Sequence, residues 1–304
     1  MENFDLHILG CGSALPTMRH NPTSQALQLR GKTYLIDCGE GTQLSIRRAQ
    51  LQFSKIHSIY ISHLHGDHCF GLPGLLSTMS LLGRASTLPI YGPWGIKDYV
   101  QEIKQRFLAD SSFEIEVREC DCRIHTLVHE DSSLRVFSIP LSHRIPTIGY
   151  LFEEKCAELH LDKPSVDFYK VPIAYYQHLL AGEDYVTEEG EQIPNHRLTK
   201  KGRSPRRYAF CSDTKYHPPI IDCVRGVDLL YHEATFGDEL SERAEATAHS
   251  TSRQAAVIAR EAEVKRLLIG HYSSRYESYD TLLQQAREEF PNTEAAFEGL
   301  CIKI

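Results

Sequence analysis

The stretch Ser62-His63-Leu64-His65-Gly66-Asp67-His68, placed directly after the apolar run Ser58–Ile61, constrains this chain more than any other feature. Four side chains able to bind a metal, His63, His65, Asp67 and His68, fall within six positions. In a turn leaving a strand, the alternate residues His63 and His65 point the same way, and Gly66 permits the bend that carries Asp67 and His68 to a second position. Imidazole and carboxylate suit zinc-like ions. Two such ions about 3.5–4 Å apart can clamp the attacking and leaving oxygens of a phosphoryl displacement. The bland alternative is a loop that merely happens to be histidine-rich, and it gives no reason for this spacing behind an apolar strand.

A cluster of that kind needs a buried sheet edge to hold it, and the chain predicts one. Leu6–Leu9, Tyr34–Asp37, Ser58–Ser62, Arg135–Ile139, Tyr208–Cys211, Leu229–His232 and Leu267–His271 read as strands. Several are apolar throughout and end on a polar residue, as a strand buried on both faces does when its C-terminal edge opens into a site. Between them Gly41–Gln50, Gly71–Leu82, Gly95–Phe107, Ser252–Glu263 and Tyr279–Phe290 read as helices. The expectation is an α/β fold with helices packed on a sheet. Further candidate ligands stand at other strand ends: His143 after Arg135–Ile139, Asp213 after Tyr208–Cys211, and His271 closing Leu267–Gly270. They bring the set to seven, which is what two metals sharing one bridging carboxylate would need.

Composition narrows the classes. With 304 residues, 41% hydrophobic and 24% charged, the chain is an ordinary globular one, long enough for two small domains or one large one. Its 33 lysines and arginines against 40 aspartates and glutamates give a net charge of −7, which excludes a uniformly basic nucleic-acid binder and leaves room for a local patch. No apolar run approaches the roughly 20 residues of a membrane span. Met1–His7 carries two acids and no basic, apolar leader, so the expected location is cytoplasmic. Nine scattered cysteines, an odd number, argue against a disulfide framework. Cys11, Cys38, Cys69 and Cys211 read as packing residues, and so does Trp94 in the turn Pro93–Gly95. His129 reads as a surface or hydrogen-bonding residue.

One segment departs from the pattern. Glu153–Pro194 is acidic at both ends, yet holds Phe168, Tyr169, Tyr175 and Tyr176 around Pro172. It reads as an inserted, projecting element. Arg197–Arg207 follows with six basic residues and no acid. Such a run is usually a solvated loop. Beside an aromatic-rich insertion it also suits contact with RNA, whose backbone charge and base faces are handles independent of sequence.

The motifs together carry a resemblance that covers nearly the whole chain. They are Leu9-Gly10-Cys11-Gly12-Ser13-Ala14-Leu15-Pro16-Thr17, Asp37-Cys38-Gly39-Glu40-Gly41-Thr42-Gln43, the segment His63–His68, Ser212-Asp213-Thr214, His232-Glu233-Ala234-Thr235, Ala248-His249-Ser250-Thr251 and His271-Tyr272-Ser273-Ser274-Arg275-Tyr276. On these the chain resembles the metallo-β-lactamase fold and, within it, the ribonuclease Z family of endonucleases that trim the 3′ end of transfer-RNA precursors. The resemblance implies one αββα domain over residues 1–304 with a flexible, tRNA-binding arm inserted at 153–196. It implies two zinc ions per subunit, one held by His63, His65 and His143, the other by Asp67, His68 and His271, with Asp213 bridging. Asp67 is implied as proton acceptor. His249, placed by Glu233, is implied near the scissile phosphate, stabilising the transition state or protonating the leaving 3′ oxygen; the bland reading of Glu233 and His249 is a structural buried pair. Arg275 either contacts phosphate or orients its loop. The Gly-Pro step of the family arm falls here on Val171-Pro172, and Pro172, Lys200 and Lys201 are candidate RNA contacts. A homodimer acting on precursor tRNA, with no membrane association, is implied by the resemblance alone. Two rivals stand beside this reading: a small-molecule phosphodiesterase or thioesterase on the same fold, and a non-catalytic RNA-binding relative.

Overall fold

The computed structural model describes residues 3–156 and 159–304; Met1, Glu2, Ala157 and Glu158, which fall within the N-terminal and arm readings above, lie outside them. The chain divides into two compact units. The larger comprises residues up to Glu153 together with Arg207–Ile304, and the smaller is Glu154–Arg206.

The larger unit is built on two seven-stranded sheets. The first contains β1 (Phe4–Gly10), β2 (Ser24–Leu29), β3 (Lys32–Ile36), β4 (Ile56–Tyr60), β5 (Leu88–Gly92) and β6 (Ile115–Glu119) in chain order. The second contains β7 (Leu127–Glu130), β8 (Leu134–Pro140), β9 (Ile148–Glu154), β10 (Arg207–Cys211), β11 (Leu229–Glu233), β12 (Leu267–Gly270) and β13 (Thr293–Ala295). The last strand, β14 (Cys301–Lys303), returns to the first sheet beside β1.

Alternation along the strands separates two apolar layers. Leu27, Leu29, Tyr34, Ile36, Tyr60 and Tyr91 of the first sheet join Val136, Tyr150, Phe152, Tyr208, Phe210 and Tyr231 of the second in one buried cluster. The residues of opposite parity, Ala26, Leu35, Ile59 and Ile90, pack instead under the helices Leu72–Leu81 and Ile96–Phe107, which contribute Leu72, Leu76, Ile96 and Val100. Helices outside and sheets inside give the expected αββα sandwich.

Strand direction is what positions the site. β3 to β6 run parallel in one sheet, and β10 to β13 run parallel in the other. The C-terminal ends of each parallel group therefore share an edge, where loops rather than ladder bonds decide what is presented. Asp37, His63–His68, Trp94 and Asp121–Arg123 follow β3, β4, β5 and β6; Asp213, Thr235 and His271 follow β10, β11 and β12.

The smaller unit has its own core of Val166, Val171, Leu179, Tyr185, Ile193 and Leu198. Short strands pair Leu159–Leu161 with Thr199–Lys201 and Tyr185–Val186 with Gln192–Ile193. The basic run read as a solvated loop is partly tied down here. Arg206 reaches Glu154 at 2.8 Å and Arg203 forms a second, bidentate pair with the same fully buried carboxylate, while Lys200 lies 2.7 Å from Asp162. Burial alone pushes Glu154 up, but the hydrogen bonds and charges of Arg206 and Arg203 overcome it and hold the carboxyl at about 2.

Candidate metal centre

Asp213, which follows β10, is buried at the centre of the site, and its two carboxylate oxygens face different groups. Oδ2 lies 3.7 Å from His63 Nε2 and 4.0 Å from His143 Nε2, and His65 Nδ1 sits 2.9 Å from His63 Nε2. Oδ1 lies 3.4 Å from His68 Nε2 and 3.2 Å from His271 Nε2, and Asp67 Oδ2 is 3.5 and 3.7 Å from those same nitrogens. The candidate ligand atoms thus form two clusters, His63/His65/His143/Asp213 and Asp67/His68/His271. The carboxylate of Asp213 stands between them.

The tautomers follow from the outer partners. His143 Nδ1 lies 2.9 Å from the Ala248 carbonyl, which can only accept. His68 Nδ1 lies 2.7 Å from Asp37 Oδ2. Ser62 Oγ donates to Asp37 Oδ2 at 2.9 Å and so is left to accept from His63 Nδ1 at 3.0 Å. Thr235 Oγ1 donates to Glu233 Oε2 at 2.5 Å and accepts from His271 Nδ1 at 2.9 Å. In each of these four rings the proton is on Nδ1 and the Nε2 lone pair points inward. Lone pairs and carboxylate oxygens that converge in this way repel unless a cation stands among them. Indeed, among the described residues, His68 Nε2 and His271 Nε2 are buried without any hydrogen-bond partner. The donor set of nitrogens and oxygens fits a zinc-like ion.

Electrostatics agree. Burial pushes the imidazoles of His63, His65 and His143 below their ordinary value, which keeps them neutral as ligands must be. Burial also drives Asp213 up, yet electrostatic interaction with the surrounding imidazoles, His271 and His68 foremost, holds it well below the usual carboxylate range. Burial draws His68 down, but Asp213, Asp67 and Asp37 push it up overall; a metal cation would take the place of that proton.

Glu233 and His249 stand beside the clusters. His249 Nδ1 is 2.9 Å from Glu233 Oε1 and 3.9 Å from Asp213 Oδ2. The Glu233 carboxylate also receives the backbone N–H groups of Thr214 at 2.7 Å and Ser250 at 3.1 Å, which fix it in place. Burial lowers His249, but Glu233 and then Asp213 raise it to about 9, so the ring carries a proton near neutrality. A cleft of about 430 Å³ opens over these groups, lined among others by His65, Asp67, Arg144, Asp213 and His249. Asp67 is steadied at its mouth by the backbone N–H of Ala14, which donates to Oδ2 at 2.8 Å.

The structure brings together all seven candidate ligands with Glu233 and His249. It does not bring the RNA-contact candidates among them. Arg275 is exposed on the turn beyond His271, and Pro172, Lys200 and Lys201, all exposed, belong to the smaller unit. Trp94 is not the packing residue expected: it is 55% exposed. Residue-by-residue reading passed over Asp37, Ser62 and Thr235, which orient the ligands. The available signal was a carboxylate or hydroxyl ending an apolar strand next to a ligand motif.

The layered fold and the histidine–aspartate edge define a metallo-hydrolase of the metallo-β-lactamase fold. Among solved structures the chain is similar to the short form of human tRNase Z, with TM-score 0.71, 26% identity and 98% of each chain covered. It shares its fold with the Bacillus subtilis protein YhfI, with TM-score 0.70, 18% identity and coverage of 99% of this chain and 100% of that one. A family profile described as "Anti-Pycsar protein Apyc1" matches residues 4–129. Ribonuclease Z of Porphyromonas gingivalis is 53% identical over 304 residues, and that of Parabacteroides distasonis 54%, each covering 100% of both chains. The chain belongs to the ribonuclease Z family, and is thus an endoribonuclease. Among the described residues no helix is long and apolar enough to cross a membrane.

Proposed function

We propose that this chain removes the 3′ trailer from precursor tRNA as a zinc-dependent phosphodiesterase. The observation that carries the reading is the pair of ligand clusters facing opposite oxygens of Asp213, with the charged His249 at their side. His63, His65 and His143 would hold one zinc, Asp67, His68 and His271 the other, and Asp213 both. Zinc in such a site supplies Lewis-acid polarisation of phosphoryl oxygens and water of lowered pKa, about 7 rather than 15.7. The remaining steps belong to the side chains. Asp67, oriented by the Ala14 N–H, is placed to accept the proton of the attacking water. His249, protonated and anchored through Nδ1 to Glu233, keeps its Nε2 proton for the departing 3′ oxygen. Its charge also lowers the energy of the pentacovalent phosphorus before that proton moves.

The unit Glu154–Arg206 is the proposed tRNA grip, with Pro172, Lys200 and Lys201 as its contacts; Arg275 is assigned to phosphate contact. Support comes from its separate core and from the exposed Phe168, which suits stacking, beside the exposed Ile173. A homodimer in the cytoplasm completes the reading, carried by the resemblance to the ribonuclease Z family; the exposed Leu81 and Leu82 at the end of the helix Leu72–Leu81 are apolar surface that a second copy would cover.

The test is end-mapped cleavage of a 3′-extended precursor tRNA, with and without chelator, beside Asp67→Ala. A chelator-sensitive cut near the discriminator base or the CCA, absent from the variant, is expected. Turnover of a small phosphodiester without any cut on RNA would overturn the substrate assignment.

A further inference from the structure

A second groove lies on the same edge, backed by His143. It encloses about 400 Å³ and is lined by Trp94, Asp121, Arg123, His143, Arg144 and Pro146, among others. Its floor is set by strand direction. β4, β5 and β6 are parallel, so the turns that leave β5 and β6 emerge beside the ligand loop that leaves β4. The β5 turn carries Trp94, and the β6 turn carries Arg123.

Local geometry turns Trp94 outward. Ile96 N–H closes the turn on the Pro93 carbonyl at 3.1 Å. Gly95 adopts φ +97°, a left-handed conformation that glycine takes without strain, and its N–H donates to Glu119 Oε1 at 2.7 Å. The indole is left 55% exposed, although it is the chain's only tryptophan and such a ring is ordinarily well buried. The Arg123 guanidinium lies over it at 5.2 Å. Asp121 pairs with one edge of that guanidinium, accepting from Nε at 2.9 Å and from Nη2 at 2.8 Å. Arg123 is 73% exposed beyond this contact. The result is a cation–π pair of an indole and a guanidinium, both open to solvent.

The groove adjoins the metal cleft. Arg144 lines both, and His143, whose Nε2 points toward Asp213, backs the groove. An aromatic–guanidinium pair, with a second arginine on the path to the scissile position, matches what unpaired RNA offers: base faces at intervals along a charged backbone. Among the described residues Asp121 is the only acid lining the groove, and it is paired with Arg123.

We propose that the Trp94–Arg123 pair is a subsite for an unpaired nucleotide flanking the scissile phosphate, reached past Arg144. The inference rests on the RNA-processing reading above. The nucleotide is supplied either by the trailer or by the unpaired end of the acceptor stem; the recognised chemistry is the same.

Because Trp94 is the sole tryptophan, the full-length protein carries its own probe. Asp67→Ala protein, which binds without cutting, is titrated with 3′-extended precursor tRNA and with mature-length tRNA, following indole emission alongside an independent gel-shift measure of binding. Quenching that saturates with the bound fraction is expected. Quenching by the precursor alone assigns the nucleotide to the trailer, and quenching by both assigns it to the acceptor end. In the otherwise wild-type enzyme, Trp94→Ala should lower kcat/KM on precursor about 5- to 150-fold, the worth of one stacked base, and Trp94→Phe should recover most of it. RNA that binds by gel shift and is cut normally, with unchanged emission and an unimpaired Trp94→Ala enzyme, overturns the subsite. Failure of the wild-type enzyme to bind or cut precursor at all would instead sink the underlying RNA reading.

Discussion

Replacing Asp37 by asparagine changes one oxygen to a nitrogen, and the local hydrogen-bond geometry determines the consequence. Asp37 is buried and accepts from the Ser62 N–H at 2.7 Å, from Ser62 Oγ at 2.9 Å and from His68 Nδ1 at 2.7 Å. An asparagine that keeps its oxygen on the backbone N–H turns its amide N–H₂ toward His68, so two donors meet. The imidazole escapes by moving its proton to Nε2, the atom that faces Asp213 and Asp67 at 3.4 and 3.5 Å. A ring protonated there cannot ligate. The alternative amide orientation buries the unpaired Ser62 N–H instead, at about 1–3 kcal/mol. Either way a charge-assisted bond of about 1.5–3 kcal/mol disappears, in line with the about 10- to 100-fold loss of metal affinity typical of an outer-partner deletion. The Ser62 hydroxyl keeps a lone pair for His63 Nδ1, so the cluster of His63, His65 and His143 should hold its affinity. Competition titration of zinc against a chromophoric chelator resolves the two steps. Weakening of one step by about 10- to 100-fold is expected; equal weakening of both, or of neither, refutes the argument that Asp37 acts through the His68 tautomer.

The charges on His249 and Glu154 lead to two further outcomes. His249 is held at about 9 chiefly by Glu233, against the downward pull of burial, and a proton donor is lost as pH rises through its pKa. Glu233→Gln should therefore move the basic limb of the kcat–pH profile from about 9 toward the ordinary 6.5, and a limb that stays put would remove His249 from the acid role. In the smaller unit the Glu154 carboxyl is lowered from 4.5 to about 2 by Arg206 and Arg203 against burial. Its stabilisation is complete above pH 4.5 and is lost as pH falls through 2; at one pKa unit per 1.36 kcal/mol it amounts to about 2–3 kcal/mol, allowing for screening at the partly exposed Arg203. Glu154→Gln should abolish this acid sensitivity in hydrogen exchange of residues 159–206 at neutral and low pH. Protection unchanged at pH 7 would show that the pair stabilises nothing.

The candidate ligands that the structure brings together were legible in the sequence where an apolar run announces the strand before them: Ser58–Ile61 before His63, Tyr208–Cys211 before Asp213, Leu267–Gly270 before His271. Parallel strands then deliver such residues to one edge whatever lies between them. The helices also read correctly, since Ile96, Val100 and Ile103 bury one face of their helix at the helical period. What sequence could not supply were the groups that act through hydrogen-bond direction. Nothing in the spacing of Asp37, Thr235 and Ala14 says that they orient His68, His271 and Asp67, since each pair meets only after the sheets assemble. Strands such as Ser24–Leu29 escaped notice because Ser24, Gln25 and Gln28 interrupt the apolar run that announces a strand, although Ser24 and Gln25 are buried and Gln25 Oε1 accepts from the distant Tyr208 hydroxyl. Trp94 misled for the opposite reason: an apolar ring suggests burial, and only the turn geometry turns it outward.

The smaller unit leaves the larger between two strands that are hydrogen-bonded neighbours, β9 and β10, with Glu153 opposite Arg207 in antiparallel register. Its entry and exit are therefore only about 5 Å apart, the distance across any such pair. A two-residue hairpin turn would bridge that gap and leave the paired register Tyr150–Glu153 with Arg207–Phe210 in place. The insertion point is thus a natural splice junction. A lineage could gain, lose or exchange the whole 154–206 module in one genetic event, altering which molecules are captured while the hydrolytic machinery is inherited intact. For the protein engineer the same junction is where a foreign recognition module could be grafted.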